Sequence, residues 1–136
     1  MSNGTNDFGV TYPQILFMER ILGGHANVTS FDRSNDIQFD IERARGGECQ
    51  LICINEYTCG LIHVLSVLSK FPEVNIIYVG GNWNSYTLEA KEYCLEARLG
   101  LYNSAEINGA LHRTDFWNYH RKDKKGNPEY ELTFTR

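Results

Sequence analysis

Apolar positions along the chain change period several times, and each change marks an element. From Pro13, the residues Ile15, Leu16, Met18, Ile21 and Leu22 fall near helical spacing; Pro13 suits a first turn and Gly23-Gly24 a stop. Residues 27–31 read as a short extended segment. Ile37, Phe39 and Ile41 then alternate with Gln38 and Asp40, the period of a half-buried strand, which puts Gln38, Asp40 and Glu42 on its polar face. The RARGG segment predicts a hairpin turn, since its two glycines accept positive φ. Cys49–Ile54 is nearly all apolar, as for a strand covered on both faces, and ends in Asn55-Glu56-Tyr57-Thr58.

Beyond this the period returns to helical. Apolar residues at 61, 62, 64, 65, 68 and 71 make a broad face, and Pro72 ends it. VNIIYVGG reads as an interior parallel strand, so strand, helix and strand predict a right-handed crossover. NWNSYTLEAKEYCLEARLG predicts a second helix, with Thr87 or Ser85 as cap, Glu89 at its positive end and Gly100 as C-cap. Leu101-Tyr102-Asn103 reads as a short strand and residues 105–111 as a helix. In the remainder, Gly126-Asn127-Pro128 predicts a turn, and Tyr130, Leu132 and Phe134 alternate like an edge strand. The expectation is one α/β domain over residues 12–112, a small mixed sheet flanked by helices, with a flexible N-terminus (1–11) and a basic C-terminal hairpin (113–136).

Composition adds bounds rather than a function. A chain of 136 residues buries about two thirds of its unfolded surface. The net charge of −4 argues against coating nucleic acid by bulk attraction but leaves room for a local basic patch. Residues 120–125 are such a patch, with Arg121, Lys122, Lys124 and Lys125 beside Trp117, Tyr119 and Tyr130. No apolar run approaches the roughly 20 residues of a membrane helix, and the N-terminus lacks the charged and apolar blocks of a secretory signal, so a cytoplasmic protein is expected. Cys49, Cys53, Cys59 and Cys94 form no CxxC pair and read as core residues. A zinc site using Cys59 and His63, one helical turn apart, with Cys49 and Cys53, on one face of a strand, is the sharper alternative, but the spacing is not diagnostic; a partly buried core histidine is the plainer account of His63.

With this order of elements, the chain resembles the restriction-endonuclease-like superfamily, in its Mrr-like branch. The resemblance runs from about Tyr12 to Leu111 and is closest in VNIIYVGGNWNSYTLEAKEYCLEARLGLYNSAEINGAL. It implies a metal-dependent nuclease core: an aspartate on one strand, a Glu-x-Lys or Gln-x-Lys pair on the next, and Mg2+ held by the carboxylates. Asp40 is the position most similar to that aspartate. The pair falls near Cys53-Ile54-Asn55, which offers neither carboxylate nor cation; a shifted register offers Glu56, with Glu42 as a third carboxylate. The implied catalytic set is therefore Asp40, Glu42 and Glu56, with Asp40 and Glu56 on the metal. Gln50 would match a Gln-x-Lys position, but Ile52 stands two residues on. No lysine occurs before Lys70, so Arg43, Arg45 or Lys91 would have to substitute.

Three functions follow as expectations. The first is nucleic-acid processing, with magnesium-dependent phosphodiester hydrolysis at Asp40. The second is a catalytically inactive relative that binds nucleic acid through Arg121, Lys122, Lys124 and Lys125, or binds a partner protein or a second copy. The third is a small nucleotide-binding signalling domain using the turn after the parallel strand, although no complete phosphate-binding fingerprint is present.

Overall fold

A computed structural model describes residues 4–80 and 84–132. Its centre is a five-stranded mixed sheet of β1 (Val28–Ser34), β2 (Gln38–Arg43), β3 (Cys49–Ile54), β5 (Ile76–Val79) and β7 (Gly100–Asn103), lying side by side in that order. The first three strands are an antiparallel meander, and β5 and β7 add in parallel to β3. Short segments β4 (Thr58–Cys59) and β6 (Ser85–Tyr86) pair separately, as do β8 (Arg121–Lys122) and β9 (Pro128–Glu129). Helices α1 (Tyr12–Gly24), α2 (Leu61–Lys70), α3 (Leu88–Glu96) and α4 (Ile107–Ala110) flank the sheet. The chain is thus α/β with a C-terminal hairpin, as the apolar periods predict.

Burial follows the residue types. Phe39 and Ile41 of β2, and Leu51 to Ile54 of β3, are buried, as is all of β5. Ile15, Met18 and Leu22 supply the buried stripe of α1, and Val64 and Val67 that of α2. Thr87 is the cap of α3, its hydroxyl accepting from the Ala90 amide at 3.1 Å; Ser85 lies in β6 instead. Gly100 is not the stop of that helix. Arg98 turns the chain at φ +58, and Gly100 opens β7, where a Cβ would lie 2.9 Å from the Tyr102 ring and 3.0 Å from Ile76.

Two further expectations change. Residues 4–10 are tied down: Asp36, buried to 2% exposure, accepts from the Gly4 amide and from Asn6, while Val10 packs in the core. The edge-strand alternation at the C-terminus gives way to a two-residue β9, with Leu132 bridged singly to Tyr86; Phe134 lies outside the described residues. Among the described residues, no helix is long and apolar enough to cross a membrane.

Candidate functional site

The polar period of β2 brings Gln38, Asp40 and Glu42 out of the sheet, and strand register decides what they meet. Asp40 pairs with Asp32 on β1 and Gln50 on β3. Directly paired residues point to the same face, with Cβ atoms about 5 Å apart. Two carboxylates therefore face each other across β1 and β2 with Gln50 beside them. Gln38 donates to both Asp40 oxygens at 3.2 and 3.1 Å. Asn75 ties the start of β3, its side chain accepting from the Gln50 amide at 2.7 Å. The result is an open concavity of about 480 Å³. Asp32, Asp40, Glu42, Glu48 and Glu73 line it together with Gln50 and Asn75, and none of the described lining residues is a lysine or arginine.

Glu56 is not part of this surface. It follows the opposite end of β3, and a rise of about 3.3 Å per residue puts the end of that strand roughly 13 Å from Gln50. There Glu56 lies 3.5 Å from His63. His63 Nδ1 accepts the Gly60 amide at 2.9 Å, a helix-capping contact at the start of α2. With that lone pair taken and Nε2 turned to Glu56, a neutral imidazole has no acceptor left for a substrate proton. His63 is partly exposed rather than a core residue. Cys59 lies behind it in the core, burial pushing its thiol up to about 12, and all four cysteines are buried and free.

Of the cations considered as substitutes for the lysine that the resemblance implies, Arg43 and Lys91 are buried and engaged elsewhere, and Arg45 is an exposed turn residue. Arg43 alternates to the other face from Asp40 and Glu42 and is buried. Its guanidinium donates to the carbonyls of Gly46, Gly47 and Arg113, and it stacks over Phe116 at 5.5 Å. Arg45 sits in the turn, its amide and carbonyl bonded to Asn27. Lys91 is fully buried beside β7, donating to Leu101 O at 2.9 Å. Ile52, where a Gln-x-Lys pair would put lysine, is fully buried.

The four hairpin cations stand elsewhere. Arg121, Lys122, Lys124 and Lys125 are exposed, Arg121 being paired with Glu131 at 3.3 Å. Their hairpin adjoins Tyr86 and so the β6 and β7 side of the molecule. β2 and β7 are three strand spacings apart, about 14 Å. The neighbouring aromatic rings are engaged in packing: Tyr119 on Tyr102, Trp117 on Phe116 and under Arg98, and Tyr130 against His120 and Lys91. The turn after β5 is partly outside the described residues; Asn84 within it donates to Asn55 at 2.7 Å.

Asp32 is the residue missed in the sequence. Its only signal is the antiparallel register with β2, which appears once residues 28–34 are recognised as a full strand. Among the described residues, no three His, Cys, Asp or Glu side chains converge into a metal cage. Comparison with protein-family models, with curated proteins and with solved structures gave no match.

Proposed function

We propose that the chain acts in nucleic-acid processing, as a divergent magnesium-dependent nuclease-like domain of the restriction-endonuclease-like type, with Asp40 and Asp32 as its metal-holding pair. The observation that carries this reading is the direct opposition of Asp32 and Asp40 on an exposed strand pair, in a surface whose described residues include no basic side chain. Like charges placed opposite each other destabilise a sheet unless a cation lies between them. Mg2+ suits such a pair, because it is ordinarily held by one or two carboxylates together with substrate phosphate and water. Bound there, the ion would supply Lewis-acid stabilisation of charge on a phosphodiester. Glu42 adds a carboxylate on the same face, and Gln50 stands where a Gln-x-Lys pair would begin. Glu56 leaves the proposed set, since it belongs to the other end of β3.

A specific observation favours a second reading, a domain that binds nucleic acid without cutting it. Ile52 stands where the resemblance would put the lysine, and the exposed cations adjoin the β7 edge, away from β1 and β2. One experiment separates the two. Duplex and single-stranded DNA and RNA are incubated with the wild type and with Asp40→Asn, in Mg2+, in Mn2+ and in chelator, while the thermal midpoint is followed with and without Mg2+. The first reading expects metal-dependent cleavage that the variant loses, and a Mg2+-induced rise in midpoint that it also loses. Absence of both effects in folded protein rejects the metal site and leaves the binding domain.

A further inference from the structure

Lys91 is the largest unexplained charge in the core. It projects from α3 with no exposure, donates one hydrogen bond to Leu101 O, and is ringed by aromatics. The centroids of Tyr102, Tyr86 and Tyr130 lie 4.1, 5.3 and 5.3 Å from Nζ. Glu106 is also fully buried, but its oxygens are held by the Tyr86 hydroxyl at 2.6 Å and the Asn103 amide at 3.2 Å. Lys91 and Glu106 form no direct ion pair among the described residues. The ammonium is thus satisfied chiefly by ring faces, and one of the three rings comes from outside the sheet domain.

That ring, Tyr130, belongs to a thinly attached segment. Among the described residues, the strand pairing of residues 121 and 122 is with 128 and 129, Arg121 also meets Glu131, and most of 121–129 is exposed. On the side toward Lys91, the segment is held by the Glu131 amide donating to the Tyr86 hydroxyl at 3.2 Å, by the bridge of Leu132 to Tyr86, and by the partly buried side chains of Tyr130 and Leu132 against the core. Segments with few buried contacts open locally at a small fraction of the global unfolding cost. We propose that residues 121–132 form a strap that lifts from the domain without unfolding the sheet, and that lifting exposes Lys91 as a reactive amine between Tyr86 and Tyr102.

The surrounding charges fit this device. Lys91 faces Glu106 at the start of α4, Tyr86 of β6, Tyr102 of β7, Tyr130 of the strap and Cys94 on its own helix, while Glu131 of the strap acts on Glu106 and pairs with Arg121. Burial outweighs the attraction of Glu106 and brings the Lys91 amine down to about 8. The closed strap therefore favours neutral Lys91, while the open strap restores an ordinary, higher value. Closing is most favoured at alkaline pH and weakens as pH falls toward 8. Near neutrality, the buried ammonium works against the strap, and the Tyr130 ring works for it.

The test is competitive labelling of the whole chain with acetic anhydride at pH 7.5, with each lysine read by mass spectrometry. In the wild type, Lys91 should react more slowly than exposed Lys122, Lys124 and Lys125. Tyr130→Ala should speed Lys91 by about tenfold, the effect of losing one desolvated cation–π contact. The Ile76–Val79 amides should keep their exchange protection, and Tyr130→Phe should label at the wild-type rate. An unchanged Lys91 rate in Tyr130→Ala overturns the strap. So does acceleration accompanied by deprotection of Ile76–Val79, because Lys91 would then be reached only through general unfolding.

Discussion

Asp36 shows how much of this molecule rests on single residues with distant partners. It sits in the turn between β1 and β2 at φ +66, nearly sealed from solvent, and receives Gly4, Asn6 and Arg33. Burial by itself pushes its carboxyl up. The hydrogen bonds from Asn6 and Gly4, with the charge of Arg33, outweigh that and hold it below the usual carboxylate range. The ionised form is the one the fold prefers, so its stabilisation is complete above the ordinary aspartate value and fades as pH falls through the lowered one. Asp36→Ala should cost roughly 2–3 kcal/mol at pH 7, since it strands several donors at once. Urea unfolding at pH 7 and near pH 3 checks both magnitude and sign: the gap between wild type and variant should shrink in acid, and a constant gap would rule out the ionised network. Lys91 carries the opposite lesson, a charge that the fold tolerates at a cost. Lys91→Met keeps the stem and removes the ammonium, and should stabilise the protein by about 2 kcal/mol at pH 7. That gain should dwindle as the wild type becomes more stable between about pH 8 and the usual lysine value. Arg33 is a local partner of Asp36, three residues back, but Gly4 and Asn6 could not be read from local sequence, because they come from a segment some thirty residues away.

Elements, by contrast, were largely written in the apolar period. Alternation at Ile37, Phe39 and Ile41 predicted the exposed face of β2, and the apolar runs at Cys49–Ile54 and Ile76–Val79 predicted interior strands. Helix boundaries were legible where a side chain terminates them, as at Thr87. Replacing Thr87 by Ala should cost about 1 kcal/mol, because the Ala90 amide loses its acceptor; thermal unfolding of the variant checks this, and no change in midpoint would mean that water serves the amide equally well. Gly100 misled because a glycine after a helical run ordinarily marks a C-cap, whereas here the reason for glycine is tertiary: the Tyr102 ring and Ile76 occupy the space of a side chain. The length of β1 was also hidden, since residues 32–36 are polar and charged. With that strand cut short, Asp32 could not be seen opposite Asp40, and Glu56 took its place in the expected set. The candidate site was therefore half legible: the face could be read, but the partner across it needed register.

At the scale of the whole molecule, charge is divided rather than neutral. The carboxylate face of β1 and β2 lies at one edge of the five-stranded sheet and the cations of the hairpin adjoin the other, so a net charge of −4 conceals two separate surfaces. If nucleic acid is held by the hairpin, its affinity is governed by counterion release, and the logarithm of the binding constant falls by about 0.9 per phosphate contact for each tenfold rise in salt on duplex DNA. The triple substitution of Lys122, Lys124 and Lys125 by Gln touches no packed side chain, as all three are exposed. It should lower duplex affinity at low salt and flatten the salt slope by as many contacts as are removed, measured by fluorescence anisotropy between low and moderate salt. Mg2+ stabilisation should be unaffected in this variant, because the hairpin adjoins the β7 side of the molecule, and β7 is three strand spacings from β2. Asp40→Asn should do the reverse, abolishing the Mg2+ effect while leaving metal-free binding and its salt slope near the wild-type values. If the triple variant binds as tightly and with the same slope, the hairpin is not the contact surface. The phosphate would then have to be drawn to the acidic face through the metal, and binding itself would become dependent on Mg2+.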